Sequence, residues 1–304
     1  MSRPAQRLDE LATELAREDF ADLDARTARE LVRTINAEDA TVAAAVARAE
    51  DAVTALVEVV AERLSRGRRL FYVGAGSAGR IAALDAAELP PTYGVAPGVV
   101  TALVAGGTAT FADAREGLED DAEAGGADLE AAGVGAGDVV VGVTASGRTP
   151  YVLGAIQRGR AAGAFCAGVV NNPGTVLGRE ADLVVEVFTG PEVVAGSTRM
   201  KATTAQKMVL NTVSTAAMVC LGRTYGNLMV AVEASNGKLR RRLQRVVAQA
   251  AGAGDETAAL ALDAAGGDGK LALVMLLADV DAPAARRRLD AAGGSVRAAV
   301  SQGG

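Results

Sequence analysis

Residues 69–80, RLFYVGAGSAGR, carry a short apolar run directly into a loop of glycine and serine, and that junction decides the fold. A run of aromatic and branched side chains bounded by glycines forms a strand, and the small residues beyond it let the chain turn into a helix. Four further runs follow: GVVTALV at 98–104, DVVVGV at 138–143, AFCAGVV at 164–170 and DLVVEVF at 182–188. Longer helical stretches separate them. Near-continuous apolar strands alternating with helices build a parallel sheet covered on both faces. The spacing therefore predicts an α/β domain with five parallel strands.

Outward from that core, residues 1–50 read as helical, with leucines and alanines at helical spacing among charges. Another helix is expected over 52–66 and one long helix over 200–222. After Asn236 the pattern is helical only, broken by glycines at 252–254, 266–269 and 293–294. This divides the chain into an N-terminal helical segment (1–50), a sheet domain (51–223) and a small C-terminal helical subdomain (224–304).

The chain has 304 residues, half of them hydrophobic and 22 % charged, with a formal net charge of −6. That length buries about three quarters of the surface an unfolded chain exposes. With no histidine, imidazole bases, imidazole metal ligands and Ser-His-Asp triads are all excluded. The two cysteines, Cys166 and Cys220, lie in apolar runs and make neither a disulfide framework nor a zinc site. The opening MSRPAQRLDELATELARED lacks a signal-peptide core, and no run reaches the roughly 20 apolar residues of a membrane helix. A cytoplasmic protein without membrane partner is expected. The acidic balance argues against nucleic acid, and KLRRRLQR at 238–245 reads as a solvated helix face.

Two loops invite an anion. GAGSAGR at 74–80 matches a dinucleotide fingerprint, but the second strand ends in Ala105-Gly106-Gly107-Thr108 with no carboxylate to hold a ribose. A Gly/Ser loop opening a helix still presents free amides, here around Gly76, with the Ser77 hydroxyl beside them. TASGRTP at 144–150 offers Thr144, Ser146 and Thr149 around Gly147, with Arg148 as a cation. Thr149-Pro150 is the pattern of an N-cap followed by proline. Capping alone leaves the other hydroxyls unexplained, so one phosphorylated small molecule is the expected ligand of Gly76, Ser77, Ser146, Gly147, Arg148 and Thr149.

Three further stretches carry charge. In DAAELPPTYG (85–94), Pro90 and Pro91 are expected to end a helix, which puts Glu88 in its last turn. There the negative end of the dipole favours the protonated form, suited to a general acid; a solvated glutamate is the plainer reading. FADAREGLEDDAE (111–123) reads as a helix capped by Thr110, with Phe111, Ala114, Leu118 and Ala122 buried. Glu119 then sits at the edge of that stripe, either entering a pocket or pairing with Arg115. GSTRMKATTAQKMVLNTVS (196–214) sets Arg199, Lys201 and Lys207 against the dipole of the long helix. Either that start is solvated, or an anionic ligand or a carboxylate from another loop or subunit compensates it.

Taken in order, GAGSAGR, DAAELPPTYG, EGLED, ASGRTPYV, NNPG, GSTRMKATTAQK, YGNLMV and SNGKL resemble the N-acetylmuramic acid 6-phosphate etherases of the sugar-isomerase (SIS) superfamily. The resemblance runs over about residues 25–300. It implies a flavodoxin-like SIS fold, a homodimer with its site near the subunit interface, and no cofactor or metal. It also implies Glu88 and Glu119 as catalytic carboxylates and the sugar phosphate on Ser77, Ser146 and Thr149; the positive start of the long helix adds Arg199 and Lys201 as expected substrate-binding residues. Two positions depart from the family pattern: Ala78 replaces a second loop hydroxyl, and Gly237 replaces the glutamate of Asn-Glu-Lys-Leu. The implied reaction cleaves a D-lactyl ether. An aldose–ketose isomerase of the same superfamily would need no second acid, and a sugar-phosphate-responsive regulator of a sugar kinase is expected to carry an extra domain.

Overall fold

The computed structural model describes residues 11–111, 117–232 and 237–301. Two compact units divide them: residues up to Ala86 with Gly98–Val213, and Ala87–Pro97 with the residues from Ser214 onward.

In the first unit the five apolar runs form β1 (Leu70–Gly74), β2 (Val100–Val104), β3 (Val139–Val143), β4 (Phe165–Val170) and β5 (Leu183–Glu186). They pair in the order β2-β1-β3-β4-β5, every pair parallel. Successive residues of a strand face opposite sides. Phe71 and Val73 are buried, and so are Leu70 and Tyr72, so both faces are covered. On one face Phe71, Val73 and Val140 pack with Leu129 of α5 (Ala122–Ala131) and with Val152 and Ile156 of α6 (Pro150–Ala161). Cys166 of β4 is wholly buried in this layer, and burial pushes its thiol up to about 12. The remaining helices of the sheet region are α1 (Ala28–Asp39), α2 (Val42–Ala47), α3 (Glu50–Ser65), α4 (Gly76–Tyr93), α7 (Val176–Glu180) and α8 (Lys201–Cys220).

Three expectations are corrected. The segment 11–26 is not helical but a series of short 3-10 turns joined by extended residues. Long-range polar contacts hold it: the Thr13 amide donates to Asn172 Oδ1, and Arg17 donates to Glu38 Oε1 at 2.6 Å. Regular helix starts only at Ala28, where Thr27 and Glu30 cap each other reciprocally. Second, α4 does not stop at its prolines but runs through Pro90 and Pro91 to Tyr93. Proline's fixed φ suits a helix; inside one it removes an amide donor and crowds the carbonyl four residues back, a cost that α4 bears without ending. Third, 111–123 is not one helix. Thr108–Phe111 is a 3-10 turn in which the Thr110 hydroxyl donates to Gly107 O at 2.7 Å, and Phe111 is exposed. Gly117 takes φ +83°, Leu118–Asp120 is a second 3-10 turn, and Asp121 caps α5. Ala114 and Arg115 lie outside the described residues.

The second unit contains a two-stranded antiparallel hairpin, β6 (Thr224–Tyr225) and β7 (Leu228–Met229), which the sequence pattern does not announce. Then come α9 (Gly237–Ala251), α10 (Asp255–Ala264), α11 (Gly269–Ala278), α12 (Ala282–Ala291) and α13 (Val296–Ser301), helical as expected. Their core gathers Leu243, Val247, Leu271, Leu273, Leu289 and Val296. The basic run on α9 is exposed apart from its buried Leu243 and the half-buried Leu239 and Gln244, again as expected.

Candidate functional site

In open parallel sheets the loops at the carboxyl ends of the strands meet ligands. Here the two hydroxyl loops leave adjacent strands, β1 and β3, which pair from Leu70↔Val139 to Gly74↔Val143. Gly76 takes φ +54° and begins α4, so Ser77 lies in the first turn of that helix, half-buried. The first turn of a helix offers unpaired amides to an anion.

The loop after β3 is tightly made. Thr144 Oγ1 lies 2.7 Å from Thr149 Oγ1 and 3.3 Å from Ser146 Oγ, which in turn accepts from the Arg148 amide at 3.2 Å. Gly147 takes φ +64°, and a Cβ there would lie 2.3 Å from Thr175 Cβ, so only glycine fits. Neighbouring elements brace the loop: the Leu177 amide donates to Gly147 O at 3.0 Å, and Asn172 Nδ2 to Ala145 O at 2.9 Å. Thr149 is the N-cap residue of α6 and Pro150 follows it, as expected. Its hydroxyl does not cap, however, because it is engaged with Thr144. Arg148 Nη1 is buried and has no hydrogen-bond partner among the described residues. A buried guanidinium donor without a partner is costly, and an anion in the loop would satisfy it.

Sequence reasoning gave no role to the two asparagines after β4. Asn171 donates to Val187 O at 3.0 Å and accepts from Gln206 Nε2 at 2.9 Å; Asn172 donates to the Thr13 hydroxyl at 2.9 Å. Both are buried, and consecutive amides directly after an apolar strand were the available signal.

At the start of α8 the dipole is answered within the chain. Glu192 accepts from the amides of Lys201 and Ala202, both at 2.9 Å, and Lys201 Nζ donates to Glu38 Oε2 at 2.6 Å. Of the alternatives read from the sequence, the structure supplies carboxylates from other segments. Burial pushes the Glu192 carboxyl up, against the pull of the two amides and the lysine. Arg199 is exposed two residues earlier, and Lys207 bonds the Asn211 side chain.

Glu88 and Glu119 are both exposed. Glu88 stands in the interior of α4, not in its last turn, so the dipole argument for it as acid does not hold. Glu119 lies in a 3-10 turn, not on a helix edge. The structure gathers Thr144, Ser146, Gly147, Arg148 and Thr149 in one loop with Ser77 on the adjoining strand's exit, whereas Glu88 and Glu119 fall in different compact units. Among the described residues no three Cys, Asp or Glu side chains cluster as metal ligands.

A parallel sheet of this order with hydroxyl loops at its carboxyl edge makes the chain a doubly wound α/β protein, and the family match places it in the SIS type. The SIS domain family matches residues 109–216, and the N-terminal SIS domain of glucokinase regulatory protein matches 51–160. A phosphoheptose isomerase from Francisella tularensis shares the fold with a TM-score of 0.51 at 16 % identity, over 63 % of this chain and 98 % of that one. The full chain has much nearer relatives. It is 54 % identical over 298 residues to an N-acetylmuramic acid 6-phosphate etherase of Rubrobacter xylanophilus, covering 98 % of each. It is 50 % identical over 296 residues to that of Mycolicibacterium smegmatis, covering 97 % of this chain and 99 % of the other. The chain belongs to the N-acetylmuramic acid 6-phosphate etherase family.

Proposed function

We propose that this protein cleaves the D-lactyl ether of N-acetylmuramic acid 6-phosphate, giving N-acetylglucosamine 6-phosphate and D-lactate. Full-length membership of the etherase family carries this reading, and the hydroxyl loop after β3 fits it. An alkyl ether is a poor leaving group. When the sugar opens to its aldehyde, the proton on C2 becomes acidic and a carboxylate can remove it. The electron pair forms a C2=C3 double bond as the C3–O bond breaks, and the lactate oxygen takes a proton from a second carboxylate. Water then adds at C3 and a proton returns to C2. Glu119 serves as the base and Glu88 as the acid in this scheme, and the two exchange roles in the hydration. The phosphate rests on the amides around Gly76 and Gly147 and on Ser77, Ser146 and Thr149, with Arg148 adding charge. Lys201 and Arg199 border the site, Lys201 through its pair with Glu38. Residues 51–223 form the sugar-phosphate domain.

The protein works as a cytoplasmic homodimer, in recycling of cell-wall amino sugars. No described helix is long and apolar enough to cross a membrane. Incubating the pure protein with N-acetylmuramic acid 6-phosphate and assaying D-lactate tests the activity. Release of lactate is expected; aldose–ketose interconversion without lactate would point to an isomerase, and binding without turnover to a regulator. Light scattering at micromolar concentration tests the dimer.

A further inference from the structure

The helical unit contains a cavity of about 970 Å³ that the reaction above leaves unused. Ligand pockets span roughly 300–1,000 Å³. Its cations come from four places in the chain: Arg223 beyond α8, Arg240 on α9, Lys270 on α11 and Arg286 on α12. Only Arg286 has an ion pair among the described residues, with Asp268 Oδ2 at 2.9 Å; the other oxygen of that carboxylate caps α11. Asp263 and Asp290 also line the cavity, yet neither comes within 4.0 Å of a cationic nitrogen there. Arg223 donates to the Gly94 carbonyl at 3.2 Å. Lys270 is partly buried, and its ammonium is 3.1 Å from where a Cβ on Gly294 would stand. Burial, followed by Arg223 and Arg286, pushes its pKa down, with Asp268 opposing. Like charges gathered around a desolvated ammonium raise the free energy of the folded chain, and a bound anion removes that penalty.

We infer that this cavity is a second anion site, built for a phosphate dianion, either free or as the end of a sugar phosphate. Arg223, Arg240 and Lys270 have no ion pair among the described residues, and the four cations of the lining outnumber its three carboxylates, so the cavity keeps a positive charge that an anion would offset. The donors also approach from separate elements, which suits a tetrahedral group better than a planar one. Gly266, Gly267, Gly293 and Gly294 line the same cavity with no side chain to fill it.

Hydrogen exchange of the full-length protein with and without inorganic phosphate tests the site. A Ser146→Ala background weakens the substrate loop and separates the two locations. Phosphate is expected to slow exchange in peptides containing Arg223, Lys270 and Gly294. Lys270→Gln and Arg223→Gln should each weaken that effect about tenfold or more, while Lys270→Arg retains it. N-acetylglucosamine 6-phosphate, run in parallel, identifies the source: tighter protection than by phosphate marks a sugar-phosphate site, equal protection a free-phosphate site. Unchanged exchange in the helical unit of the unmutated protein overturns the inference. So does protection that persists undiminished in both glutamine variants.

Discussion

Lys201 Nζ lies 2.6 Å from Glu38 Oε2, across 163 residues of sequence, with 3 % of the lysine side chain and 15 % of the glutamate side chain exposed. This pair ties the start of α8 to the end of α1. Removing the lysine leaves Glu38 with Arg17 as its remaining cation, at 2.6 Å. Lys201→Ala is therefore expected to cost one charged hydrogen bond, about 1.5–3 kcal/mol, read from denaturant unfolding. A loss near zero would mean that the pair is dispensable.

The same pair sets an acid dependence. Burial raises the Glu38 carboxyl, but the hydrogen bonds from Lys201 and Arg17 outweigh it and hold the group below its ordinary value of 4.5. A carboxyl depressed in the folded state binds its proton more readily when unfolded, so its stabilisation is full above 4.5 and is lost as pH falls below it. Glu192, shifted the other way, acts in the opposite sense. Glu38→Gln should flatten the decline in melting temperature below that pH; an unchanged slope assigns the acid sensitivity elsewhere.

Glu88→Gln and Glu119→Gln preserve shape and remove the titrating group, and each should slow lactate release by roughly 10²–10⁴. Exchange of the substrate's C2 proton with D₂O then separates the roles. The variant lacking the acid keeps that exchange, and the variant lacking the base loses it. Retention of exchange in Glu119→Gln with its loss in Glu88→Gln would reverse the assignment.

Ser146→Ala and Thr149→Val remove hydroxyls from the loop after β3. A hydrogen bond to a charged group contributes about 1.5–3 kcal/mol, so KM for the phosphorylated sugar should rise about tenfold or more with a smaller change in kcat. Equal activity of the unmutated protein on the unphosphorylated sugar would remove phosphate from the account.

The elimination breaks the sugar's C3–O bond, so lactate keeps the ether oxygen and solvent supplies the new C3 hydroxyl. In ¹⁸O-water the label is expected on the amino sugar and absent from the lactate alcohol. Label in the lactate alcohol would show attack at the lactyl carbon instead.

The sheet was legible because it rests on composition: runs such as DVVVGV stay apolar residue after residue, and only a strand buried on both faces needs that. The hydroxyl loop was legible because Thr144, Ser146 and Thr149 crowd around a glycine that the turn requires. The 11–26 segment was not, since its leucines keep helical spacing while its conformation answers to Asn172 and Glu38, far along the chain. Pro90-Pro91 misled for a local reason: proline loses a donor and crowds the preceding turn, yet the helix here continues to Tyr93. The departure from helix at 117–121 turned on Gly117 and on the Asp121 cap, single residues that outvoted a wheel pattern. Neither the capping by Glu192 nor the Lys270 cavity is local in sequence, so periodicity carries no trace of them.

The chain's two thiols differ in reach, which makes the native protein a ready spectroscopic object. Cys166 is sealed in the sheet with its thiol pushed up to about 12, whereas Cys220 stands exposed as the last residue of α8. A maleimide or nitroxide reagent at neutral pH should thus decorate one position, with no cysteine replaced beforehand. In a twofold assembly each complex would carry two identical spin labels, and their dipolar coupling would measure the spacing between the two copies of Cys220.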